Sequence, residues 1–188
     1  MLVIAGVLCA LGLSTFWLVD FHALRSQSVA NHTLTTLSSG SAQAAQPGVD
    51  VQLVVVGEGA LPGMLRRALA TSLAAEPAFG EVTLLDAVPE RASGPVLVVE
   101  ISQQDTRWTP IYARSAVSAQ VAFSLDGNLS WREQQMVGLQ PGDGPWARGE
   151  FTLADVSWGL ASRPGYQHLL AEKLASQIAG GLAGVVGG

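Results

Sequence analysis

Met1 to Val19 reads MLVIAGVLCALGLSTFWLV and carries no charged side chain. That run limits what the whole chain can be. As a helix at 1.5 Å per residue it would be roughly 28 Å long, close to the roughly 30 Å hydrocarbon core of a bilayer. The hydroxyls of Ser14 and Thr15 can bond back to helix carbonyls. Trp17 stands where an interfacial aromatic belongs. The run is apolar on every face, so a small soluble domain could not surround it. These features predict a transmembrane signal-anchor over residues 1–20. A cleaved signal peptide is the competing expectation. It fits less well, because no Lys or Arg precedes Arg25 and the nearest small-x-small site, Ala42-Gln43-Ala44, lies far downstream. The anchor reading places the domain on the extracytoplasmic side of the membrane, as a single-pass protein.

The remaining chain allows one domain of ordinary size. Formal net charge is -5, with no basic cluster, which excludes the cationic footprint that nucleic-acid binding requires. Cys9 is the only cysteine, so no intrachain disulfide can form, and its apolar neighbours make it a membrane residue. Residues 21–48 are rich in Ser, Thr, Ala and Gln and short of apolar residues. That composition predicts a flexible linker.

From Val49 the pattern changes. Val49, Val51, Leu53 and Val55 alternate as a strand. Leu61, Leu65, Leu69 and Leu73 follow at a spacing of four, a helix with one apolar face and Pro62 in its first turn. Further strands are expected at Glu81–Leu85, at Val96–Ser102, and along Ile111–Leu125. Asp126-Gly127 then predicts a hairpin turn with a return strand around Leu129–Glu133. A polar, Gly-rich excursion over residues 138–149 and a short strand at Phe151–Asp155 complete the sheet. A second helix is expected near Pro164, striped by Tyr166, Leu170, Leu174 and Ile178, with Glu172 and Lys173 outward. Residues 181–188 read as a glycine-rich tail. The fold class expected is α+β: a mostly antiparallel sheet of four to six strands, with two amphipathic helices on one face, over residues 49–180.

No P-loop, dinucleotide fingerprint, zinc motif or nucleophile elbow occurs. Gly57-Glu58-Gly59 lacks the further glycine of a phosphate cradle. The three histidines are scattered, so neither metal nor cofactor is expected. Glu100, Asp105 and Asp155 would have to converge to form a hydrolytic carboxylate pair, and no enzyme activity is expected. The residue types that dominate binding surfaces concentrate at Arg107, Trp108, Tyr112, Arg114 and Trp158, which are candidate partner-binding residues.

The strand, leucine-striped helix, antiparallel strands and closing helix over Val49 to Ile178, with LPGMLRRALATSLAAEP as the most telling segment, resemble the lipopolysaccharide-assembly lipoprotein family and the auxiliary lipoproteins of transporters. The lipobox of those families is absent, and a membrane span stands in its place. The resemblance implies a non-enzymatic accessory or assembly subunit that binds protein partners in a cell-envelope complex. The alternative expectation is an extracytoplasmic lipid- or glycan-binding module, which requires an apolar concavity between sheet and helices.

Overall fold

The computed structural model describes residues 19–37, 48–89, 91–129 and 146–186. Residues 1–18, which carry most of the expected membrane span, lie outside the described residues. Six strands form one sheet: β1 (His22–Leu37), β2 (Val49–Val56), β3 (Phe79–Leu84), β4 (Val96–Thr109), β5 (Tyr112–Ser124) and β6 (Trp146–Ala161). Two helices accompany them, α1 (Leu61–Ala75) and α2 (Arg163–Val186). The spatial order is β1-β6-β5-β4-β2-β3. Neighbours from β1 to β4 are antiparallel. β2 lies parallel to both β4 and β3. The sheet is therefore mixed. The crossover through α1 forces the parallel pairing of β2 with β3, as a βαβ connection does.

Both helices pack on one face of this sheet. Leu61, Leu65, Leu69 and Leu73 of α1 join Leu170, Leu174, Ile178 and Leu182 of α2 in one core with Leu53, Leu97, Phe123 and Phe151. A smaller cluster (Val54, Val96, Val98 and Ala122, under Ala92 and Leu129) covers part of the opposite face.

Four expectations are corrected. The first is the flexible linker. Residues 22–37 form β1, paired with β6 from His22↔Ala161 to Leu37↔Trp146. An edge strand needs few apolar residues: its ladder to β6 takes up the backbone groups that face the sheet, Leu24 and Leu34 pack on the core, and His32 stacks on Phe151. The second is the hairpin pairing with β5 expected after Asp126-Gly127. The turn exists, with Gly127 at φ 75°, but both edges of β5 are already occupied, by β4 and β6. Asn128 forms an isolated bridge to Arg91. Residues 130–145 lie outside the described residues, and the expected short strand at 151–155 is the middle of β6.

The third correction is the glycine-rich tail. α2 continues to Val186, with Leu182 and Val186 buried. Gly181 suits this helix because a Cβ there would lie 3.0 Å from the Phe151 ring. The glycine allows helix and sheet to approach closely. The fourth concerns Lys173, which does not simply face outward, as described below. α2 is also long and apolar enough to cross a membrane. Its buried stripe packs on the sheet, so it serves as a core helix of the domain.

Candidate functional site

β6 alternates strictly. Phe151, Leu153, Asp155 and Ser157 point toward the helices and are buried, while Ala154 and Trp158 point away and are exposed. A carboxylate thus occupies a core position. Its partners come from three elements. Ser28 Oγ of β1 donates to Asp155 Oδ1 at 2.6 Å. Lys173 Nζ of α2 reaches the same oxygen at 2.7 Å. Oδ2 accepts from Ser157 Oγ at 2.7 Å and from Tyr166 Oη at 3.0 Å. Lys173 also donates to the hydroxyls of Ser26 and Ser28.

Burial alone would push the Asp155 carboxyl up. The hydrogen bonds from Lys173, Ser28 and Ser157, together with the Lys173 charge, outweigh burial and hold it below its ordinary value. Burial first, and then Asp155 itself, push the Tyr166 phenol up. An ionised carboxylate offers about four acceptor positions, and here four donors fill them. These bonds leave Asp155 no free lone pair, and the cluster joins β1, β6 and α2. The carboxylates weighed for hydrolysis do not converge. Asp105 pairs with Ala116 on the exposed side of β4 and β5, whereas Asp155 faces the helices.

Sequence reading marked Asp155 but missed its partners Lys173, Tyr166 and Ser28. An acidic residue at an inward position between Leu153 and Ser157 was the available signal that a cation must come from elsewhere in the fold.

The face of the sheet away from the helices gathers four of the five candidate binding residues. Across β1, β6, β5 and β4 the register aligns Gln27, Val156, Arg114 and Arg107 in one row. The row before it holds Arg25, Trp158, Tyr112 and Thr109. The row after holds Val29, Ala154, Ala116 and Asp105. Tyr112 and Trp158 are in ring contact, centroids 6.3 Å apart. Val29 is 64% exposed, and Ala154 and Ala116 are exposed beside it. Trp108 is the exception. It alternates to the helix side and packs against the main core.

The space between sheet and helices is filled by fully buried Leu65, Leu69, Leu174, Phe123 and Phe151. The apolar concavity required of a lipid or glycan module is thus not found there among the described residues. Two surface grooves are polar-edged. One, about 450 Å³, runs between the helices beside Arg67, Thr71, His168 and Glu172. The other, about 590 Å³, lies beside Gln104, Thr106, Arg163 and Gln167. Among the described residues no group of three or more His, Cys, Asp or Glu side chains is placed to hold a metal ion.

No family model matches the chain, and no curated protein matches it. Among solved structures, the PelC dodecamer from Paraburkholderia phytofirmans is similar at 15% identity and a TM-score of 0.45, over 79% of this chain and 94% of that one. The hypothetical protein CT253 from Chlamydia trachomatis is similar at 12% identity and a TM-score of 0.38, over 74% of this chain and 98% of that one.

Proposed function

We propose that this chain is a membrane-anchored, non-enzymatic accessory or assembly subunit of a cell-envelope complex. Its domain lies on the extracytoplasmic side and binds a protein partner through the open sheet face. The observation that carries this reading is the strip Val29–Ala154–Ala116. It is an exposed, mostly small-residue surface on three adjoining strands, with Arg107 and Arg114 in the next row. Small side chains let a second backbone or a helix lie close, and the guanidiniums select a partner with carboxylates at the edge of its apolar contact. The uncharged run Met1–Val19 supports the anchor.

Gentle detergent extraction of the tagged full-length protein, followed by mass spectrometry, tests the proposal. A stoichiometric envelope protein co-purifying with the chain is the expected result. Recovery of the chain alone, under conditions that keep other membrane complexes intact, would overturn it.

A further inference from the structure

Eight large apolar side chains are exposed in the described protein: Val19, Val29, Val56, Leu84, Ile111, Tyr112, Trp158 and Leu160. Five of them lie at one end of the sheet. Ile111 forms the tip of the β4–β5 turn and is 66% exposed; Leu160 is 53% exposed at the end of β6. Gly159 N–H and Ala161 N–H donate to the carbonyls of Ile111 and Pro110, which ties this turn to the end of β6. The Tyr112–Trp158 pair borders it.

The chain enters the domain at this same end. Phe21 N–H donates to Ser162 Oγ at 3.0 Å, and Ser162 N–H donates back to the Phe21 carbonyl. Asp20 is held by His168 at 2.9 Å. Two residues span at most about 7 Å, so the end of the uncharged run at Val19 cannot stand far from the sheet end. Arg25, Arg107, Arg114 and Arg163 also belong to this end, four of the chain's ten Lys and Arg. Acidic side chains lie here too: Asp20 and Glu172, both beside His168, Asp105, and the buried Asp155 paired with Lys173. The protein thus presents an arginine-flanked, aromatic-bordered apolar end where its anchor arrives.

We infer that this end of the sheet, with Ile111 and Leu160 foremost and Tyr112 and Trp158 at its border, rests in the headgroup boundary of the bilayer. Trp and Tyr favour that boundary, arginines meet its phosphates, and apolar tips enter the acyl edge. The domain therefore sits directly on the membrane and orients the open face beside it. This inference rests on the membrane-anchor reading above.

The test uses full-length protein carrying Cys9→Ser, reconstituted in vesicles of phosphatidylethanolamine and phosphatidylglycerol. Nitroxides are attached at Ile111→Cys, Leu160→Cys and, as a control, Leu84→Cys. Leu84 shares a row with Leu53, Leu97, Phe123 and Ala147, roughly 45 Å along the sheet from Ala161 at about 3.3 Å per residue. Flotation after a carbonate wash reports the anchor, and power-saturation EPR reports depth. The expected result is flotation, with labels at 111 and 160 losing contact with an aqueous nickel chelate and gaining it with oxygen, while the label at 84 stays aqueous. Flotation with water-exposed labels at both 111 and 160 would overturn the inference and leave the anchor standing. Failure to float would overturn the anchor and this inference with it.

Discussion

The Lys173 ammonium meets the Asp155 carboxylate at 2.7 Å across the contact between α2 and β6. The carboxylate is fully buried, whereas the Lys173 side chain keeps 24% of its exposure. The lysine head turns inward from α2 to reach the carboxylate. Ser26 and Ser28 of β1 complete the ammonium's hydrogen bonds. One ion pair thus fixes the closing helix, the longest antiparallel pairing and the edge strand.

Removing one partner of that pair leaves a buried charge without compensation. Lys173→Met is expected to destabilise the domain by about 3 kcal/mol. Asp155→Asn combined with Lys173→Met should recover most of the loss, because no uncompensated charge then remains. Urea unfolding of the single and double variants measures both. An additive double variant would contradict the coupling.

The same cluster sets the pH response. The Asp155 carboxyl is held below its ordinary value of 3.8 in the folded protein. Its stabilising contribution is therefore fully present above pH 3.8 and is lost as pH falls through the lower, folded-state value. The Tyr166 phenol is raised above its ordinary 10.0, so its contribution is present below pH 10.0 and declines as the pH rises beyond that. Urea midpoints across the pH range should fall on both sides. Asp155→Asn with Lys173→Met should flatten the acid limb. Tyr166→Phe should flatten the alkaline limb and cost about 2 kcal/mol near neutrality, through the lost hydrogen bond to a charged acceptor.

Gly149 tests the place of β1. A Cβ at this position would collide with the Thr33 carbonyl of β1. Gly149→Ala is expected to cost about 2 kcal/mol through overpacking and to speed amide exchange along β1. Gly94→Ala, where nothing stands within 4 Å of the added carbon, should stay within about 0.5 kcal/mol of the parent. If residues 22–37 were a free tether, both substitutions would be silent and β1 amides would exchange at the rate of an open chain.

The open face is tested at its centre. Ala154 is exposed in the middle of the apolar strip. Ala154→Glu should leave stability within about 0.5 kcal/mol and remove the co-purifying partner. Unchanged recovery of the partner would place the interface elsewhere.

Much of the fold was legible in short stretches of sequence. The leucines of α1 and the stripe of α2 follow from a local period of about 3.6 residues, and β4 follows from its dense β-branched run. The α+β class and the side on which the helices pack come from these faces. The candidate binding residues were legible by type, since Arg, Tyr and Trp stood out between strong strands. Which of them share a surface was not, because a bulge in the β4–β5 pairing between Ile101 and Gln103 shifts the alternation. Downstream of it, Arg107 faces the open side and Trp108 the core.

By itself, then, the sequence determined the uncharged leading run, the two helices and their apolar faces, the internal strands and the absence of recognisable catalytic motifs, since each is written in neighbouring residues. Tertiary structure decided the rest. β1 is a strand because β6, more than a hundred residues later, satisfies its backbone. Lys173 turns inward because Asp155 is buried beside it, and α2 runs on past Gly181 because Leu182 and Val186 are buried in the core while the glycine leaves room for Phe151. In each case the deciding interaction joins residues far apart in the chain, where local periodicity and composition carry no record of the partner.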